Sequence, residues 1–214
     1  MRAFEAFEST IKRAKALMKA HRKLRGPGPG KRPRFHSELL RATVVTSVSA
    51  MDAYFHDKIV ENVRRTIRRR APNFPKELVE LIAEDQKPDS VVQKFLSISM
   101  RDRPLAHVTT MVARKLNERA FQDPAKMEWG MKLIGIRDFW RRVSRKMERT
   151  PEDAKREIMA YVKRRHQIVH RGDLSAAKKT KHQVRKINRP FAERCIRDVE
   201  DFVDCAERAV GEVI

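Results

Sequence analysis

The stretch that decides the fold is SELLRATVVTSVSAMDAYFHDKIVENVRRTIRRR, Ser37 to Arg70. Leu40, Val44, Ser47, Val48, Met51, Tyr54, Phe55, Ile59, Val63 and Ile67 recur at spacings of three and four, which turns one continuous stripe toward a core if the segment is helical. The β-branched Val44-Val45-Thr46 sits inside that period of 3.6 and not in a period of two, so it belongs to the helix. Ser37 is placed to cap the first turn by accepting a free backbone N–H. Asp52 lies beside the apolar stripe next to Tyr54, either as an exposed carboxylate or as the partner of a buried arginine.

Other helical patterns surround this one. Phe4, Phe7, Ile11, Ala14, Met18 and His21 share a face of a helix over residues 3–24. Gly26-Pro27-Gly28-Pro29-Gly30 cannot continue it, because proline lacks a backbone donor and glycine is costly to order. This stretch lacks the Lys-Ser/Thr ending of a phosphate-binding loop. Short helices are expected over Lys76–Glu84, from Asp89 to about Met100, and from Pro104 to about Phe121. Two glycines in Trp129–Trp140 indicate packed turns around a helix, with both tryptophans as core or interface anchors more readily than base-stacking platforms. Thr150-Pro151-Glu152-Asp153 starts another helix: a capping hydroxyl, a proline in the first position, and two acids facing the positive end of the dipole. Phe191, Cys195, Ile196, Val199, Phe202, Val203, Ala206 and Val210 mark a last one. The chain therefore reads as all-α, organised as an N-terminal helix (1–25), a Gly/Pro linker (26–36) and a helical domain with short inserted helices (37–214).

Length and charge bound the function. A chain of 214 residues suits one hydrophobic core. Forty-nine Lys and Arg against 28 Asp and Glu leave a net charge of +21, and self-repulsion of that size calls for an anionic partner. The cations cluster at 12–34, 64–70, 137–149, 163–171 and 178–189. One run alone is an ordinary solvated helix face, but together they favour nucleic acid over a membrane surface, since they lack an accompanying broad Trp, Phe and Leu face. No apolar run approaches the roughly 20 residues that span a bilayer, and no signal-peptide pattern opens the chain. Cys195 and Cys205 fall about 15 Å apart on one helix, too far for a disulfide within it. A soluble cytoplasmic protein with reduced thiols follows as the expectation.

The densest chemistry is Lys163-Arg164-Arg165-His166-Gln167-Ile168-Val169-His170-Arg171-Gly172-Asp173, at the end of the helix that begins near Thr150. The inward stripe of that helix is Ile158, Tyr161, Val162, Arg165, Ile168 and Val169, so Arg165 is its misfit, while Lys163, Arg164 and Arg171 can point outward. A guanidinium there either meets phosphate with its planar fork, pairs with a carboxylate such as Asp52, or packs its stem and sends its head to water. His166 and His170 share a face, as a two-histidine metal site would. The zinc-protease pattern, however, needs glutamate where Gln167 stands, which makes metal the weaker reading. His170 lies roughly 140° around the helix from Arg165. The pair is thus expected to meet only if Gly172 lets the last turn unwind or if two copies face each other across a dimer axis.

The run Arg165-His166-Gln167-Ile168-Val169-His170 resembles the Arg-x4-6-His motif of the HEPN superfamily. Arg171-Gly172-Asp173, Ser49-Ala50-Met51-Asp52-Ala53-Tyr54 and Ile134-Gly135-Ile136-Arg137-Asp138-Phe139-Trp140 are similar to its RiboL-PSP-HEPN branch, over roughly residues 37 to 210. The resemblance implies a HEPN-like helical bundle and a metal-independent endoribonuclease of the kind found in toxin–antitoxin and phage-defence systems. It also implies no cofactor, a homodimer with a composite site, and an antitoxin or other regulatory protein as a further partner. Carried onto this chain, it makes His170 the general acid or base at the ribose 2′-OH or the leaving oxygen. Arg165 becomes the residue that orients the scissile phosphate, and His166 a group that shapes or polarises the site. Lys163, Arg164 and Arg171 would hold the RNA backbone. The product implied is a 2′,3′-cyclic phosphate. The family also includes members that bind RNA without cutting it, so the alternative is a noncatalytic RNA-binding or protein-interaction domain. The position after the arginine is often asparagine in the family, and His166 there leaves open which imidazole moves the proton.

Overall fold

The computed structural model describes residues 2–24, 34–70, 73–84, 93, 97–98, 100, 102–175 and 183–213. Eight named helices make up the architecture of these residues: α1 (Ala3–Lys23), α2 (Arg34–Arg70), α3 (Lys76–Ala83), α4 (Pro104–Asn117), α5 (Pro124–Leu133), α6 (Phe139–Lys146), α7 (Pro151–Arg171) and α8 (Arg189–Gly211). The Gly/Pro run and the helix expected from Asp89 fall largely outside the described residues.

The 37-residue α2 is the axle. It packs against α1, α4, α5, α7 and α8. Its expected stripe is the core: Val44, Val48, Met51, Tyr54, Phe55, Ile59 and Val63 are all fully buried. Phe55 meets Phe139 edge-on with ring centroids 5.6 Å apart, and Phe202 lies 5.8 Å away, which joins α6 and α8 to the axle. The face of α1 is also as expected, with Phe7, Ile11, Ala14, Met18 and His21 buried.

The start of α2 differs from expectation. The helix begins at Arg34, and Ser37 is inside it and not its cap. His36 explains the extension: it is buried and lies edge-on to His21 of α1, with ring centroids 5.6 Å apart. Helical backbone at His36 is what brings that ring onto α1. At α4 the helix ends at Asn117, short of Phe121, whose N–H is claimed instead by Asp52 of α2 at 2.5 Å.

Two features set the path into the site. Gly130 lets α5 approach α2 closely: a Cβ there would lie 2.6 Å from the Phe121 ring and 2.7 Å from Ile59. Thr150 then starts α7 as its sequence indicates, its hydroxyl accepting the Asp153 N–H at 3.1 Å with Pro151 in the first turn. Cys195 and Cys205 are free and buried, and burial pushes the Cys195 thiol well above its ordinary range. Among the described residues, no helix is long and apolar enough to cross a membrane.

Candidate functional site

The last turns of α7 carry the site. Ile158, Tyr161 and Val162 bury the inner face, and Tyr161 donates its hydroxyl to Asp198 of α8 at 2.5 Å. Beyond Val162 the helix emerges from the core. Arg165 and Ile168 are half-buried, whereas Val169 is 46% exposed and not on the inner stripe where its spacing had put it. The amphipathic pattern stays correct only as far as there is protein to pack against.

Neighbouring arginines part company here. Arg164, expected to point outward, turns to the buried Asp173: its Nη1 lies 2.7 Å from Oδ1 and its Nη2 donates to Oδ2 at 2.7 Å. Arg41 of α2 donates to the same Oδ2 from its Nε at 2.7 Å and to the Arg185 carbonyl at 2.7 Å. A carboxylate surrounded by two guanidinium groups is paired well enough to stay charged in the interior, and removing it would strand both cations. Burial, opposed by Asp173, holds the Arg164 guanidinium below its ordinary value. Arg164 is thus structural, with its donors directed at Asp173 and the Lys186 carbonyl. The motif makes Arg164 a contact to the RNA backbone, and in the fold its terminal nitrogens face protein oxygens.

The same carboxylate shapes the helix end. Gly172 at φ +56° and Asp173 at φ +59° are both left-handed, a conformation that glycine and aspartate tolerate best. The Gln167 carbonyl accepts the N–H groups of Gly172 and Asp173, five and six residues on, so the closing turn is wider than α-helical. A single antiparallel bridge between Leu174 and Val184 then brings the chain back beside it.

Arg165 meets no carboxylate among the described residues. Asp52, its candidate partner, is instead engaged with the Phe121 N–H and with Gln122, whose Nε2 donates to Oδ2 at 2.8 Å. The Arg165 Nε is buried without a hydrogen-bond partner, and its Nη1 lies 3.4 Å from His170 Nε2. The two side chains therefore meet within one protomer while α7 runs unbroken to Arg171. The long arginine stem reaches across the angular gap that a residue-by-residue phase puts between them, so no second subunit is needed for the contact.

His166 and His170 lie edge to face with centroids 5.3 Å apart. Both are exposed. His166 Nε2 is 3.0 Å from Gln122 Oε1. Partial burial first, then Arg165, His170 and Lys126, hold its imidazole below the usual histidine value, favouring the neutral form near pH 7. A depression of about 560 Å³ beside the two rings has Met159 and Val162 on its apolar wall and Lys126, Lys163 and Arg171 at its edge. Gln122 and Lys126 enter the site from outside the motif. No spacing announces them, because Gln122 is 44 residues from His166 and arrives through the Asp52 anchor.

A family model described as RiboL-PSP-HEPN matches residues 8–205. No curated protein and no solved structure matches the chain significantly.

Proposed function

The chain belongs to the RiboL-PSP-HEPN family, and from that premise we propose that it is a metal-independent endoribonuclease. It uses the 2′-OH of its RNA substrate as nucleophile and leaves a 2′,3′-cyclic phosphate. The observation that carries this reading is the contrast between two adjacent arginines. Arg164 is held by Asp173, while Arg165 has no carboxylate among the described residues and faces His170 at 3.4 Å. An unpaired planar fork beside two imidazoles fits a phosphodiester, whose oxygens accept its donors and whose developing charge it can stabilise. Imidazole suits the proton transfers because it takes up and releases a proton near neutrality. The internal 2′-OH removes any need for a covalent enzyme intermediate.

Lys163 and Arg171, both exposed, join Lys126 as contacts to the RNA backbone. The depression beside them is of a size that holds a small ligand, and its apolar wall suits a base face. The protein acts as a homodimer with its sites at the interface: Val169, Leu174 and Val184 are exposed apolar side chains at the end of α7 and the bridge that follows it. Such an enzyme fits a toxin or phage-defence effector in the cytoplasm, restrained by an antitoxin or regulator.

The test is cleavage of mixed RNA in EDTA by wild type, Arg165→Ala and His170→Ala, with circular dichroism to check folding. Cleavage by wild type alone, with cyclic phosphate ends, is the expected result. Equal cleavage by all three folded proteins removes the assigned site, loss of wild-type cleavage in EDTA points to a metal, and salt-sensitive binding without cleavage leaves an RNA-binding domain.

A further inference from the structure

Asp52, Gln122 and His166 form a chain of hydrogen bonds with a direction. The Phe121 N–H donates to one oxygen of Asp52 at 2.5 Å, and the Gln122 amide nitrogen donates to the other at 2.8 Å. An ionised carboxylate offers acceptors only, so the Gln122 NH2 group must face Asp52 and its carbonyl oxygen must face the other way. That oxygen lies 3.0 Å from His166 Nε2 and can only accept. The proton of neutral His166 therefore sits on Nε2. Nδ1 is left with its lone pair.

Gln122 is 5% exposed and sits in the segment between α4 and α5, while Asp52 sits at mid-length of the rigid axle helix. The amide is thus held from behind by a residue of the core helix. His170 is connected differently, its Nε2 facing the Arg165 guanidinium. Once a phosphodiester draws Arg165 onto its oxygens, that nitrogen is released and can carry a second proton beside the anion.

Resting on the ribonuclease reading above, we propose that Asp52 and Gln122 are positioning residues that lock the tautomer of His166, which makes His166 Nδ1 the base and His170 the acid of the cleavage. In that step the 2′-OH proton passes to His166 Nδ1 as the 2′-oxygen bonds to phosphorus. The bond from phosphorus to the 5′-oxygen breaks, and the imidazolium of His170 gives that oxygen its proton. His166 ends as an imidazolium, still donating from Nε2 to Gln122, and His170 ends neutral. Solvent exchange restores both. The groups facing His166 are Arg165 and His170 on its own helix, Lys126 from α5, and Gln122 with Asp52 behind it, and Asp123, Lys163 and Arg171 line the same depression. Of these, Arg165, His170 and Lys126 disfavour a proton on His166, as a base requires.

Asp52→Asn gives the decisive test because it reverses the chain. The Phe121 N–H still needs an acceptor, so the new carboxamide turns its oxygen there and its NH2 toward Gln122. Gln122 must then flip, pointing its own NH2 at His166, and His166 must accept on Nε2 and carry its proton on Nδ1. Long-range proton–nitrogen NMR of full-length protein with 15N-labelled histidine reads the tautomer at pH 8 without RNA. The signals of His166, one of seven histidines, are identified by their loss in His166→Gln. Wild type is expected with the proton on Nε2 and Asp52→Asn with it on Nδ1. Asp52→Asn should also lose roughly 10²–10⁴-fold in kcat, the usual worth of a general base, with KM near wild type. Gln122→Met, which keeps the length and removes both polar atoms, should populate both tautomers and lose kcat in the same sense. It serves if Asp52→Asn does not fold.

Finding Nδ1–H in wild type, no change of tautomer in either variant, or wild-type cleavage with an inverted tautomer overturns the assignment. A folded wild type that cuts no RNA overturns the nuclease reading and the base role together, and the NMR result separates that case from a fault in the hydrogen-bond chain.

Discussion

Arg165 Nη1 lies 3.4 Å from His170 Nε2 on one unbroken helix, five residues apart in the chain. The contact joins a guanidinium to an imidazole without help from any other segment, so changes to the fork alone can be separated from changes to the fold.

Arg165→Lys keeps the charge and removes the planar pair of donors. A loss of about 10²–10³-fold in kcat is expected, as for other preorganised donors to a developing anion. Single-turnover cleavage measures it. Wild-type rates would show that charge alone suffices.

The pH profile reports on Lys126. Burial first, then the charges of Arg165, His170 and Lys126, hold His166 below the usual imidazole value. A base must be unprotonated, so the acidic limb of kcat/KM should lie below that value in wild type. Lys126→Glu replaces a repelling charge with an attracting one, which favours the imidazolium and moves the limb to higher pH.

Asp173→Asn preserves a residue that tolerates the left-handed backbone at φ +59° and removes the charge between Arg41 and Arg164. Those arginine side chains are only 7% and 12% exposed. Stranding them should cost about 3–5 kcal/mol, read as a fall in the urea midpoint.

Gly130→Ala sets two effects against each other. Helix propensity alone gains roughly 1 kcal/mol, but the new methyl would meet the Phe121 ring at 2.6 Å and Ile59 at 2.7 Å. Overpacking costs about 1–3 kcal/mol and should win. Because Phe121 is tied to Asp52, cleavage at a temperature where the variant is folded should fall too.

Val169→Asp places a charge on an apolar side chain that is 46% exposed on the protomer. Sedimentation should show a shift from dimer to monomer with little change in melting temperature. An unchanged dimer would move the interface elsewhere.

The axle, the α1 face, the α7 cap and the stop at Gly172 were all legible in the sequence, because each depends on contacts within a few residues or on one continuous apolar stripe. Ser37 was misread as a cap because the reason to extend the helix, His21 against His36, spans two helices. The roles of Arg164 and Arg165 hinge on Asp173 and on Asp52, which pairing rules cannot assign along a sequence. Asp52 stood out as a carboxylate beside a core stripe, yet its partners, Phe121 and Gln122, were invisible, since nothing in Gln122's neighbourhood marks it as polar support for a histidine. The motif supplied the candidate residues, and tertiary contacts supplied their orientation.

The Arg41–Asp173 pair joins residues 132 positions apart, and Arg41 also holds the carbonyl of Arg185. During synthesis the axle helix precedes residue 185, so its anchor to the end of α7 has to wait until that residue has left the ribosome. The end of α7 therefore takes its anchored geometry only after the segment around Arg185 has been made.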